Sequence, residues 1–315
     1  MKLGPIIKLA LSAVMLGVIL RSVRIDQLIS TISQISLGWA LVVIFGYSFG
    51  QFFSSIKWWL LVRAGGINAP LVGTLRAYWI GMFVNCFGLG TVGGDLARAL
   101  LLSDSHGRKA EALASVVADR LHGLAVLSVI ALISTATFGT HSLPGWLVSL
   151  LIFLALGIVS GWFLGPLIIR AVLPVENRFR QKVLAISDTF PRKFDVLFRI
   201  SAISVAFHLL QITLHSVMAK AVGADIPFHL LLVVIPFVNI VSTLPISWNG
   251  LGVRENAYKF FLVPALLSPE QAVTFGALWL SAVTVASAIG GLVAVITGDL
   301  SKLKSSKAES ANIAQ

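Results

Sequence analysis

The chain has 315 residues, 57% of them hydrophobic and only 12% charged, with 24 basic against 13 acidic side chains and a formal net charge of +11; the mean hydropathy is +0.92. A water-soluble globular domain carries roughly 25% charged residues, so that class is excluded, and apolar tracts of about 20 residues, long enough to cross a hydrocarbon core about 30 Å thick, recur along the whole length. The fold class is therefore all-α and polytopic, a single integral membrane domain over 1–304 with a short cytoplasmic tail at 305–315. No stretch is left for a sizeable water-soluble catalytic domain. Cys86 stands alone, which excludes an intramolecular disulfide and a cysteine-based metal cage.

In chain order, Lys2 and Lys8 precede an apolar run at 9–20, as in a signal peptide, but Arg21 and Arg24 stand where a small-residue cleavage site belongs, so a retained first helix is expected. Full spans are predicted at about 5–21, 39–62, 110–138, 146–169, 200–222 and 270–298. Between the first two, Ile25, Leu28, Ile29, Ile32 and Ile35 recur at helical spacing, which predicts an interfacial amphipathic helix over 23–35. Two further segments do not read as ordinary spans. One runs over 71–102 and is broken at 88–94, Gly-Leu-Gly-Thr-Val-Gly-Gly; the other runs over 228–262 and is broken at 245–252, Pro-Ile-Ser-Trp-Asn-Gly-Leu-Gly. Non-helical backbone at membrane depth survives only where protein or water satisfies its polar groups, so both are candidates for re-entrant or broken helices lining a cavity.

The region 170–199 carries Arg170, Arg178, Arg180, Lys182, Arg192, Lys193 and Arg199, and an excess of Lys and Arg in short loops marks the cytoplasmic side. Arg108 and Lys109, and the tail lysines 302, 304 and 307, fall on the same side if both broken segments return to the face they entered, while 139–145 and 263–269 contain no basic residue and fall outside. Both termini come out cytoplasmic, in a bacterial-type inner membrane. The stretch 178–199 mixes aromatic and aliphatic residues with this charge and reads as a linker resting on anionic lipid rather than a partner-binding helix.

The two broken segments resemble each other. Phe83-Val84-Asn85 is echoed by Phe237-Val238-Asn239, each precedes a glycine pair with an acidic residue, and a long span opening on Glu111 or Glu270 follows. With an odd number of crossings between them, the second segment enters from the opposite face. The expected architecture is an inverted-topology repeat, about 1–138 and about 146–300, of the kind that builds midplane sites from discontinuous helices.

Gly88-x-Gly90-x-x-Gly93 matches the dinucleotide-binding fingerprint by letter, but that fingerprint has meaning only after a β-strand in a βαβ unit, and here an aromatic membrane segment precedes it. What remains is that half-helix N-termini favour anions. Charges in apolar context are costly and face a cavity or a partner. The candidates are Lys57, Arg76, Asp95, Arg98, Asp119, Arg120, Arg254, Glu255 and Lys259. Adjacent Asp119 and Arg120 project about 100° apart on a helix, so Asp119 is matched with Arg98 or Arg254, and Arg120 with Asp95, Glu255 or an anionic substrate; the alternative is a buried network that only locks helices together. Arg98 and Arg254, each following a glycine break, are the candidates for binding a phosphate or carboxylate. Lys57-Trp58-Trp59 reads first as an interfacial belt with a snorkelling lysine. His208 and His215 share a helix face, but no carboxylate stands beside them at metal-ligand spacing, so neither a metal nor a cofactor is expected.

Gly93-Gly94-Asp95-Leu96-Ala97-Arg98, Asp119-Arg120-Leu121 and Pro245-Ile246-Ser247-x-x-Gly250-Leu251-Gly252-Val253-Arg254-Glu255, in this order and spacing, resemble the lysylphosphatidylglycerol synthase transmembrane, or flippase-like, family, and Lys57-Trp58 fits its basic-Trp position on the second span. The resemblance implies a membrane domain that in two-domain synthases moves aminoacylated phosphatidylglycerol between leaflets. This chain ends at Gln315 without an aminoacyl-transferase domain, so lysyl transfer is not expected. The expected function is a non-enzymatic, flippase-like movement of an anionic phospholipid or polyprenyl-phosphate lipid. Its site would draw on Lys57, Gly93, Gly94, Asp95, Arg98, Asp119, Arg120, Asn249, Gly250, Gly252, Arg254 and Glu255. The alternatives are a scaffold that recruits a lipid-modifying enzyme and an enzyme acting on a lipid headgroup. The expected partners are membrane lipids, with a second copy of the chain or a lipid enzyme as further possibilities; the basic charge sets orientation and implies no nucleic acid.

Overall fold

A computed structural model describes residues 10–17, 21, 23–88, 90–104, 107–139, 144–243, 247, 250–263 and 265–299. Residues 10–17 are helical; the rest of the expected first span, and the tail lysines, lie outside the described residues. The elements that follow are α1 (Ile25–Ser33), α2 (Leu37–Ala64), α3 (Leu71–Phe87), α4 (Gly90–Asp104), α5 (Lys109–Phe138), α6 (Gly145–Val172), α7 (Arg178–Asp188), α8 (Phe194–Ala221), α9 (Phe228–Thr243), α10 (Val253–Leu262) and α11 (Pro269–Thr297). Among the described residues there is no strand.

Five of these helices, α2, α5, α6, α8 and α11, are long and apolar enough to cross a membrane. At about 1.5 Å per residue, even the shortest of them reaches about 42 Å, beyond the roughly 30 Å hydrocarbon core. They correspond to the expected spans within a few residues, except that α8 starts at Phe194 rather than near 200: Val196, Leu197 and Phe198 continue its apolar pattern. The stretch before it holds a separate capped helix rather than a linker. Asn177 Oδ1 accepts from Phe179 N–H (2.8 Å) and Arg180 N–H (3.3 Å), which starts α7. On α1 no residue is buried, and Ile25, Ile29 and Ile32 are exposed along one stripe, as its helical spacing predicts.

The four helices flanking the breaks have 17, 15, 16 and 10 residues, about 15–26 Å each, so none crosses alone. Instead α3 packs back on α4, and α9 on α10.

The chain forms two compact units. The first-break unit comprises Phe52–Ala125, Leu156–Ser204 and Ser287–Gln315; the second-break unit comprises Met1–Gln51, Val126–Ala155 and Val205–Ala286. In the first-break unit, Trp58, Val62, Ile80, Leu102 and Val116 form one buried cluster with Ala294, and Leu61, Ala118, Trp162, Phe190 and Ile200 another. A Cβ at Gly290 of α11 would overlap the Trp79 carbonyl of α3, the close backbone approach for which small residues are used between membrane helices. The second-break unit packs Ala131, Leu147 and Leu151 on Val233 and Phe237 of α9. Beside that cluster lies an aromatic group in which Tyr47 abuts Trp279 edge-on at 5.2 Å and Tyr258 abuts Phe275 at 5.0 Å.

Candidate functional site

At the first break the helix resumes at Gly90, so Gly93 and Gly94 lie inside α4 and not in an extended loop over 88–94. Gly94 serves a close crossing: its N–H donates to Asn85 Oδ1 (2.9 Å), and a Cβ there would overlap the Gly81 carbonyl. This crossing aims the outer turns of α4 at α5 and α2, where five charged side chains form one chain of contacts. Arg98 Nη1 and Nη2 both donate to Asp119 Oδ2 (3.1 and 3.0 Å), and Nη2 lies 3.2 Å from Asp95 Oδ1. Lys57 Nζ pairs with the other oxygen, Oδ1, of Asp119 at 2.9 Å. Arg120 Nε donates to Asp95 Oδ2 at 3.0 Å.

Lys57, Arg98 and Asp119 are buried. The Arg98 guanidinium is also sandwiched, its Cζ 4.7 Å from the Trp58 ring centroid and 5.2 Å from that of Tyr78. Trp58 Nε1 is fixed by Ser115 Oγ (3.1 Å) and the Tyr78 hydroxyl by Ser54 (2.8 Å). Lys57 therefore does not snorkel to an interface; it ends on a buried carboxylate. Of the two partners weighed for Asp119, Arg98 is the one it meets. Arg120 meets Asp95, with its side chain 37% exposed. Three cations and two carboxylates leave one positive charge, and each buried member has an opposite partner, the condition under which buried charge is tolerated.

The second break differs in backbone and in charge. Gly250 and Gly252 have φ of +77° and +81°, a left-handed conformation that costs other residues about 1–2 kcal/mol. They turn the chain into α10, which begins at Val253. Glu255, at the third helical position, accepts from the Gly252 N–H at 2.6 Å, the carboxylate half of a capping box. Asn256 Nδ2 donates to the Gly252 carbonyl (2.7 Å) and the Met15 carbonyl (3.0 Å), tying the helical residues 10–17 to the break. Asn249, Pro245 and Ile246 lie outside the described residues.

Arg254 occupies the second helical position. It is buried, at 9% exposure; its Nε has no hydrogen-bond partner, and among the described residues no carboxylate pairs with it. Glu255 faces the cap instead, about 100° round the helix. A Cβ at Gly250 would lie 3.1 Å from Arg254 Nη2 and 3.1 Å from the Ser242 carbonyl, so the guanidinium lies against the glycine turn and the end of α9. In the same unit the Ser242 and Ser247 hydroxyls and the Gln211 side-chain nitrogen are also buried and, among the described residues, without hydrogen-bond partners. A cation in the first turn of a helix opposes the macrodipole, and buried donors without acceptors each cost about 1–3 kcal/mol. An anion at this point would relieve both.

A family model described as the lysylphosphatidylglycerol synthase TM region matches residues 6–291. The chain belongs to this family. It is thus a membrane protein related to lipid handling, and the match spans both breaks and every helix that carries the charged residues above. No curated protein matches the chain.

The combination expected at both arginines, a guanidinium acting together with a half-helix N-terminus, exists at Arg254 only. Because α4 starts at Gly90, Arg98 lies more than two turns in, past the reach of the helix dipole. Sequence reasoning missed Trp58 and Tyr78 as the walls around Arg98, and Ser242, Ser247, His215 and Tyr258 in the second-break unit. Tyr258 could have been found from its spacing, one turn after Arg254 on the same helix face.

Proposed function

We propose that the protein is a lipid flippase-like transporter that takes the anionic headgroup of a phospholipid or polyprenyl-phosphate lipid at the second break, with Arg254 as its anchor. The observation that carries this reading is a buried arginine, in the first turn of a glycine-initiated half-helix, with no carboxylate partner among the described residues. Phosphate oxygens supply what is missing there: negative charge for the guanidinium and the helix N-terminus, and acceptors for buried donors. The first-break cluster supports a different role in the same transporter, an internally paired junction that holds α2, α4 and α5 together.

In this reading the two broken segments are inverted-topology counterparts, both termini are cytoplasmic, the membrane is a bacterial-type inner membrane, and the activity is movement of the lipid without chemistry on it. Membership in the family and the recurrence of a back-packed half-helix pair in each unit support it. The test is lipid translocation in proteoliposomes, read by quenching of a headgroup-labelled anionic phospholipid in the outer leaflet. Wild type exposes the inner-leaflet pool and Arg254→Ala slows this by about tenfold or more, the loss of one charge-assisted contact. Equal rates for wild type, Arg254→Ala and protein-free vesicles sink the proposal.

A further inference from the structure

The second-break unit holds a buried imidazole beside the proposed headgroup site. His215, on α8, is 0% exposed. Its Nδ1 lies 2.7 Å from the Gln211 carbonyl oxygen and its Nε2 lies 2.8 Å from the Tyr258 hydroxyl. A carbonyl only accepts, so Nδ1 carries a hydrogen; in the neutral ring Nε2 is then the acceptor, and the Tyr258 hydroxyl donates to it. Tyr258 follows Arg254 by one turn on the same face of α10, so the His215–Tyr258 hydrogen bond leads from the imidazole to the arginine's side of that helix.

Among the described residues, the remaining surroundings of the ring bring no carboxylate against it. From α11 come Trp279 and Phe275, with centroids 4.4 and 5.8 Å away; from α2, Tyr47 closes over Trp279. On α8 itself His208 lies two turns earlier, and on α10 Glu255 is held by the Gly252 N–H. The titratable and charged groups around the imidazole are therefore Arg254, Glu255, Tyr258, Tyr47 and His208.

We infer that the second-break site binds a phosphomonoester lipid headgroup together with one proton, which is carried on Nε2 of His215. This rests on the headgroup reading of Arg254 given above and specifies its substrate class. A phosphomonoester carries roughly −1.5 to −2 charge at pH 7, more than one guanidinium neutralises, whereas a phosphodiester headgroup carries one negative charge. In the empty site a second positive charge is opposed first by burial of the ring away from water and then by like-charge repulsion from Arg254; a bound dianion offsets both.

The proton comes from water and forms the Nε2–H bond. The Tyr258 hydroxyl changes from donor to acceptor at His215, and its own hydrogen becomes available on the Arg254 face. No bond to the lipid forms or breaks. Because the liganded state binds one more proton than the empty state, affinity rises as pH falls, by up to about tenfold per pH unit.

The experiment titrates dioctanoyl phosphatidic acid and dioctanoyl phosphatidylglycerol into the purified full chain by calorimetry, in buffers of differing ionisation heat, for wild type, His215→Gln, Tyr258→Phe and Arg254→Gln. Wild type is expected to take up about one more proton per phosphatidic acid than His215→Gln does, which cancels the proton equilibrium of the lipid itself. It is also expected to bind phosphatidic acid at least about tenfold tighter than phosphatidylglycerol. Tyr258→Phe removes the acceptor for the new Nε2–H and moves proton uptake to lower pH, a readout that stands even if His215→Gln does not fold. Equal proton counts in wild type and His215→Gln, an unmoved pH dependence in Tyr258→Phe, or equal affinity for the two lipids overturns the inference while Arg254 stays the anchor. Equal phosphatidic acid binding by wild type and Arg254→Gln overturns the headgroup reading and this inference with it.

Discussion

The two helix breaks carry the same residue types and use them in opposite ways. At the first, Gly94 permits a close helix crossing, and Arg98 is held by Asp119 and Asp95 and enclosed by Trp58 and Tyr78. At the second, Gly250 and Gly252 supply left-handed turns, the neighbouring acidic residue Glu255 caps the backbone, and Arg254 keeps a buried nitrogen without a partner. A paired buried charge is structure; an unpaired one, in a helix position that disfavours it, marks a ligand. The difference shows that a buried arginine after a glycine break takes its meaning from where the nearest carboxylate points.

The comparison is broken most severely at Asp119. Asp119→Asn leaves Lys57 and Arg98 facing a neutral amide inside the first-break unit, and removing one partner of a buried pair costs about 3–5 kcal/mol. The expected result is a large fall in melting temperature of the purified protein, or failure to accumulate in the membrane. Gly94→Ala forces a methyl group onto the Gly81 carbonyl and should destabilise by about 1–3 kcal/mol, read in the same melting assay. Gly252→Ala sharpens the contrast, because its cost combines positive φ, about 1–2 kcal/mol, with a methyl group 2.7 Å from Met15 Cβ, and falls on the turn that places Arg254. A modest drop in melting temperature with a disproportionate loss of headgroup binding is expected there; the reverse pattern, intact binding with a large melting shift, would make the second break purely structural.

Much of the fold was legible because membrane helices are long and uniformly apolar, and five spans emerged within a few residues of their observed ends, save the start of α8. The breaks were legible as glycine clusters, but their shape was not: local sequence does not distinguish Gly94, inside a helix and needed for tertiary contact, from Gly250 and Gly252, which take positive φ. The ionic partners were half legible. Adjacency placed Asp119 and Arg120 on different faces but left Arg98 or Arg254 for the one and Asp95, Glu255 or a substrate for the other, and Lys57 read as a snorkelling residue because its burial depends on the position of α5. Glu255 was equally ambiguous, since its role as a cap follows from the helix beginning at Val253.

The central claim is that Arg254 binds an anionic headgroup whereas the first-break cluster holds the structure. It is tested most directly by measuring phospholipid retained per protein, by native mass spectrometry, together with the melting temperature of wild type and Arg254→Gln. The account predicts that Arg254→Gln loses the bound anionic lipid while its melting temperature in detergent stays the same or rises, because a buried charge with no carboxylate partner among the described residues has been removed. Retention of the same lipid at the same occupancy, or a collapse in stability like that of Asp119→Asn, would contradict it.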